Sequence, residues 1–271
     1  MKKIHATAVI DAKAEIGEDV EIGPYVVMGA DVTIGSGTIV QSHAVFEGFV
    51  TIGCRNFIGP GCVIGAPPQD LGFSADRKTT VLIGNDNIIR EHCTIHRGSA
   101  DGTSTNIGNK NFLMVGAHLG HNCQIGNNVI IANNCLLAGY VRVDDQAFIG
   151  GGSTFHQNMR VGRLVMVQGS SAFGKDLPPF TMAAERNAVF GLNITGMRRA
   201  GFNAAQREDI KAAFRLLYLS GLNLSQALEK SATENFGELG REFFEFVAEA
   251  KKRSVCPYRG KKDREDAAKE I

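Results

Sequence analysis

The chain contains no tryptophan, and aromatics make up only 7% of it. A core built on large rings is therefore excluded, and the apolar content has to pack as aliphatic side chains. Long apolar runs are missing too: nothing approaches the roughly 20 residues a membrane-crossing helix needs, so no membrane insertion is expected. The first residues, Met1-Lys2-Lys3-Ile4-His5, carry no apolar segment of the kind a signal peptide contains. An excess of either charge is also absent. With 29 Lys+Arg against 28 Asp+Glu the net charge is +1, which gives no sign of a nucleic-acid partner. The six cysteines, Cys54, Cys62, Cys93, Cys123, Cys135 and Cys256, form no C-x-x-C pair. No zinc knuckle is read from them, and a reduced, cytoplasmic protein is expected.

What the chain does have is glycine, 32 residues of it, and a strict period. Stepping by six from Ile4 gives Ile10, Ile16, Ile22, Met28, Ile34, Val40, Phe46, Ile52, Ile58 and Ile64. The run breaks at Ala66-Pro67-Pro68, returns with Ile83, Ile89 and Ile95, breaks again, and continues from Ile107 to Phe173 without a miss. A helix, with its period of 3.6, does not produce this pattern. Short strands joined by tight corners do, three to a coil of eighteen residues. The 26 hexads then make eight to nine coils stacked at about 4.8 Å, a prism about 40 Å tall. The spacing predicts a parallel β-helix and leaves its hand open.

Residues two before most of these aliphatics are small or β-branched, and Cys62, Cys93, Cys123 and Cys135 share that position. They read as compact buried residues. Two insertions interrupt the coils. Pro67–Lys78 is too long for a corner and is expected to project as a functional loop, and Arg97–Ser104 is rich in turn formers. After Pro178-Pro179 the hexad stops. Asn203 with Gln206 reads as a capping box, and Ile210, Phe214, Leu217 and Tyr218 form one stripe of a helix closed by Gly221. A second helix is expected from Ser225, and a third carrying Leu239, Phe243, Phe246, Val247 and Ala250. The division is thus a β-helix domain over residues 1–190 and a helical domain over 191–271, ending in a solvated charged tail around Arg259–Asp266.

Among the seven histidines, His118 and His121 lie together. A metal reading of His118-x-x-His121 lacks a third ligand at suitable spacing. His121 stands two after Leu119, a position held elsewhere by Ser36, Glu91, Asn109 and Asn127, and therefore points outward. Adding eighteen leads one coil up to Gly139, then to Gln157, then to Lys175. An imidazole that takes a proton near neutral pH would thus sit below a glycine whose bare backbone N–H is open to a developing oxyanion. That is an acyl-transfer constellation. A rival assignment makes Cys123 a Cys–His nucleophile, although its position groups it with the buried cysteines.

The chain resembles the UDP-N-acetylglucosamine 3-O-acyltransferase family of lipid A biosynthesis. The residues that carry the resemblance include Gln69-Asp70-Leu71, Thr94-Ile95-His96-Arg97-Gly98, Ala117-His118-Leu119-Gly120-His121, Leu137-Ala138-Gly139, His156-Gln157 and Phe190-Gly191-Leu192-Asn193, leading to Arg198-Arg199-Ala200-Gly201-Phe202. The resemblance implies a left-handed coil, a homotrimer with sites between prisms, and direct transfer of a (3-hydroxy) fatty acyl chain from acyl carrier protein to a UDP-sugar. The co-substrate is then the carrier's phosphopantetheine thioester, with no other cofactor and no metal. His121 matches the general base and Gly139 the oxyanion donor. Asp70, His118, His156, Gln157, Asn193 and Arg199 match sugar-nucleotide contacts, and Gly169 matches the position that limits acyl length. Several residues depart from the family pattern: Asn122 replaces a frequent Asp, Gly72 a lysine, Tyr140 a common His and Thr195 an acid. They touch the sugar pocket, so a 3-hydroxy and a 3-amino acceptor both stay open. So do an N-acyltransferase acting on a glucosamine amine, whose His-Asn pair is similar, and a non-catalytic scaffold. An acidic carrier protein would be steered by outward basic residues, with Arg160, Arg163, Lys175 and Arg198 as candidates.

Overall fold

The computed structural model describes residues 2–250 and 254–260. Between Lys3 and Phe173 the chain makes 26 short strands, and each hexad aliphatic named above falls within one of them. They stack in parallel into three faces, in sheets of eleven, nine and eight strands, and the eleven-stranded sheet includes two further strands described below. The fold is a left-handed parallel β-helix. In-register partners such as Leu119 with Leu137 and Leu137 with Phe155 set like residues one above another inside the prism. Leu113, Leu119, Ile131 and Leu137 are completely buried. Burial of each such side chain contributes about 1.5–3 kcal/mol. Cys62, Cys93, Cys123 and Cys135 are buried in the same interior.

Corners need residues that accept a left-handed backbone. Asn122, Tyr140 and Asn158, with φ of 62°, 61° and 60°, occupy successive coils of the corner that follows the nine-stranded sheet. Asparagine tolerates this region better than most side chains. Partners one coil apart are usually separated by 18 residues, but by 31 across the first insertion and 24 across the second. The insertions leave the solenoid at its corners, and the strand register resumes behind them.

Where the period ends, Thr181–Ala184 pairs in parallel with Met166–Val167, and the chain turns back as Ala188–Leu192. The expected boundary between 190 and 191 falls inside that second strand. The helices are α1 (Ile194–Arg199), α2 (Ala204–Tyr218), α3 (Leu224–Ser231) and α4 (Glu238–Ala248). Neither the hairpin nor α1 has a period long enough to predict. The reciprocal Asn203–Gln206 capping box starts α2 as expected. A second one, Asn223–Gln226, starts α3 at Leu224 rather than Ser225. Ala250 lies beyond the end of α4. The expected charged tail is corrected at its start: the Arg259 N–H is bonded to the Val189 carbonyl at 2.8 Å. The rest of that tail, residues 261–266, lies outside the described residues. No helix among the described residues is long and apolar enough to cross a membrane.

Two of the expected carrier-protein contacts are committed elsewhere. Arg160 donates to Asp176 at 2.9 Å, to Glu249 at 2.7 Å and to the Phe246 carbonyl at 2.9 Å. Arg163 holds Glu242 through two bonds of 2.8 and 2.7 Å. Both fasten α4 and the residue just beyond it to the last coils, so neither is a free cation.

Candidate active site

A cleft of about 770 Å³ runs along the nine-stranded face. His118, His121, Gly139 and His156 line it, together with Gln69, His96, Leu136, Thr154 and Ala172. The last three stand in register with His118 on successive coils. Sequence reasoning missed them, although adding eighteen to 118 finds all three. Arg186 and Asn187 close the upper end from the hairpin, where no period points to them.

His121 is half-buried at the corner. Its Nδ1 is 2.9 Å from Asn122 Oδ1. That oxygen also receives the Ser99 backbone N–H at 3.0 Å, which a nitrogen could not do, so the amide orientation is fixed. An oxygen only accepts; the proton of the neutral imidazole therefore sits on Nδ1, and Nε2 keeps its lone pair. Gly139 lies directly above. A Cβ built on it would fall 2.4 Å from His121 Nε2 and 2.5 Å from Cε1. Only glycine leaves that space open.

The corner one face away explains why the Gly139 N–H is available. There the equivalent N–H groups of Cys54, Asn85, Asn109 and Asn127 are each taken by the Asn or Asp Oδ1 of the next coil, at 2.7–2.8 Å. In the His121 column the position one coil above Gly139 is Gln157, exposed and one methylene longer, so no Asn or Asp Oδ1 stands there to take the Gly139 N–H. The Gly139 N–H itself meets no acceptor among the described residues.

His118 bonds Thr94 Oγ1 through Nδ1 at 2.7 Å, and its ring meets that of His96 edge-on at 5.2 Å. Burial, with the neighbouring His96 adding to it, lowers its pKa and favours the neutral ring. His118 thus offers a neutral polar nitrogen to a ligand. Cys123 is buried, and that burial pushes its thiol up to about 12, so no thiolate nucleophile is available beside His121. Among the described residues, no group of three His, Cys, Asp or Glu side chains converges on one point.

Other expected contacts lie outside this cleft in a single chain. Gln157 is exposed on the coil above Gly139. Asp70 is exposed on the first insertion, where its Oδ1 accepts the Gly72 N–H at 2.9 Å; Gln69 is the loop residue that faces the cleft. Asn193 caps α1 by accepting from the Gly196 N–H at 2.9 Å, and donates to the Leu164 carbonyl at 2.9 Å. Arg199 is exposed on α1. Gly169 is exposed on the far edge of the same face, with room for a Cβ only 3.0 Å from the Gly151 carbonyl.

Residues 176–256 match the second domain of UDP N-acetylglucosamine O-acyltransferase, and residues 13–48 and 104–139 match the bacterial transferase hexapeptide repeat. The acyl-(acyl-carrier-protein)–UDP-N-acetylglucosamine O-acyltransferase of Thermodesulfovibrio yellowstonii is 44% identical over 260 residues, 94% of this chain and 100% of the relative. The enzyme of the same name from Syntrophobacter fumaroxidans is 43% identical over 235 residues, covering 86% and 91%. A crystal structure of the UDP-N-acetylglucosamine acyltransferase from Bacteroides fragilis is similar with a TM-score of 0.88 at 41% identity, covering 93% of this chain and 99% of that one.

Proposed function

Because the chain belongs to the UDP-N-acetylglucosamine O-acyltransferase family, we propose that the cleft beside His121 carries out that family's acyl transfer. The chain is an acyltransferase that moves a fatty acyl group from acyl carrier protein to UDP-N-acetylglucosamine in lipid A biosynthesis. The observation that supports the mechanism best is the bare Nε2 of His121 under the open Gly139 backbone. Nε2 takes the proton of the sugar 3-hydroxyl as its oxygen attacks the thioester carbonyl. The oxyanion of the tetrahedral intermediate meets the Gly139 N–H, the C–S bond breaks, and the imidazolium returns its proton to the departing pantetheine sulfur. His118, His156 and Gln157 hold the sugar nucleotide, and Gly169 borders the path of a long acyl chain. The carrier's thioester serves as co-substrate, and no further cofactor enters the reaction.

The assembly that suits this reading is a homotrimer in the cytoplasm. Ile88, Phe112, Ile130, Phe148 and Met166 rise in register on the outer side of the eleven-stranded face. Packing that row against a neighbouring copy would remove it from water. Asp70, Asn193 and Arg199, which one chain leaves outside its own cleft, would then contribute to the cleft between two copies.

Purified enzyme offered UDP-N-acetylglucosamine and its 3-amino analogue, with carrier proteins of several acyl lengths, is expected to acylate the 3-hydroxyl most efficiently with long chains. Transfer to the amine alone would replace the hydroxyl as acceptor. Transfer to neither would overturn the reading. Lys175 is exposed at the top of the 121/139/157 column. Lys175→Glu is expected to raise KM for the acidic acyl carrier, and added salt should do the same by screening the attraction. Arg163→Gln, in contrast, is expected to lower the melting temperature and leave that KM within about twofold. A KM unmoved by Lys175→Glu and by salt would exclude electrostatic docking there.

A further inference from the structure

The Arg97–Ser104 insertion reaches the base indirectly. Ser99 donates to Asn122 Oδ1 through both its backbone N–H, at 3.0 Å, and its Oγ, at 2.8 Å. The Tyr140 hydroxyl lies 2.9 Å from the same Oγ. Because the single hydroxyl hydrogen of Ser99 is directed to Asn122, Tyr140 is the donor to Ser99. The chain of bonds therefore has one direction: Tyr140 to Ser99 to Asn122 Oδ1, with the His121 Nδ1–H arriving from the other side. Behind Ser99, Arg77 of the first insertion donates to the Ser99 carbonyl at 2.6 Å. Arg77 and Arg97 both lie against the Phe73 ring, at 5.8 and 5.3 Å from its centre. The two insertions are joined again where the Lys78 N–H meets Asp101 Oδ1 at 2.8 Å and the Gly102 N–H meets the Lys78 carbonyl at 3.0 Å.

This arrangement answers a problem that an amide creates and a carboxylate does not. The two ends of an asparagine amide are nearly the same size, so packing alone does not choose between them. Flipped, Asn122 would aim an N–H at His121 Nδ1, the ring proton would move to Nε2, and the lone pair that takes the substrate proton would be lost. Donors converging on Oδ1 decide which end faces the ring.

We propose that Ser99, braced by Arg77 and Tyr140, is a positioning residue that sets the Asn122 amide and thereby keeps His121 Nε2 unprotonated. The proposal rests on His121 acting as the base. Ser99→Ala removes the hydroxyl and keeps the backbone N–H, so kcat is expected to fall by about fivefold, the worth of one hydrogen bond. KM for the UDP-sugar should stay within about twofold. Ser99→Thr, which restores the hydroxyl, should recover kcat. The deciding comparison is Ser99→Ala in an Asn122→Asp background. A carboxylate presents oxygen in either orientation, so there the loss should shrink to less than about twofold.

An equal loss in both backgrounds would mean that Ser99 only holds the loop and would overturn the proposal; so would full kcat in Ser99→Ala. If Asn122→Asp proves too slow to measure, the ¹⁵N shifts of His121 replace the cycle. Unchanged shifts in Ser99→Ala overturn the proposal, and a gain of Nε2 protonation supports it. His121→Ala is assayed alongside. Turnover surviving in that variant would remove the base itself, whereas an inactive His121→Ala beside an unaffected Ser99→Ala removes only the role of Ser99.

Discussion

Replacing His121 with alanine is expected to lower kcat by about 10³-fold, within the range that a positioned general base supplies. The fold should survive. His121 stands at an outward corner, and its direct side-chain partners are Asn122 Oδ1, at 2.9 Å, and the Tyr140 ring, edge-on with centroids 5.2 Å apart. Loss of one such bond costs stability about 1 kcal/mol, and the buried aliphatic columns beneath it are untouched. The check is single-turnover acylation measured beside thermal unfolding and sedimentation. A variant that unfolds several degrees lower has lost structure as well as a base. One that keeps near-normal turnover with an intact fold shows that the proton leaves by another route. His118 does not readily supply that route: burial lowers its proton affinity, and its Nδ1 is engaged with Thr94 at 2.7 Å on the strand one coil below.

Much of this was legible because a β-helix turns sequence arithmetic into geometry. Eighteen residues separate neighbours one coil apart, so His121, Gly139 and Gln157 align on paper as they do in space, and His118 leads likewise to Leu136, Thr154 and Ala172. The arithmetic fails wherever the chain leaves the coil. Ser99 meets Asn122 and Tyr140 across 23 and 41 residues, separations that no repeat specifies. Arg160 and Arg163 share the outward positions of the hexad, yet helix α4 and the residue that follows it return 79 to 89 residues later to engage them. Outwardness in the period is not exposure in the molecule. Asn193 shows a related limit: the resemblance matches it to a sugar-nucleotide contact, whereas within one chain its side chain caps α1. The availability of the Gly139 N–H was hidden for another reason. It follows from what the adjacent corner does with its Asn ladder, and that ladder carries meaning only when the two corners are set side by side.

Gly139→Ala should be nearly as damaging as loss of the histidine, with kcat down by about 10²- to 10³-fold. The collision is specific. The added Cβ would lie 2.4 Å from His121 Nε2, where real carbon atoms do not approach, and that is also the space a 3-hydroxyl needs to reach the base. The imidazole has to swing away, breaking its bond to Asn122 and abandoning the fixed tautomer. Backbone strain makes no contribution, since Gly139 is not among the residues with positive φ. The three atoms nearest the added Cβ all belong to that one side chain, and this gives the prediction a second readout. Gly139→Ala should lower the melting temperature in the native background and leave it unchanged in His121→Ala, where the ring is gone and the methyl has room. Such non-additivity is expected only for groups in direct contact. If the two substitutions instead add in stability, the methyl is disturbing something other than His121, and the geometry assigned to the oxyanion site is wrong. Full activity in Gly139→Ala would have the same consequence for the mechanism, because neither the base nor the backbone donor could then be where the reaction needs it.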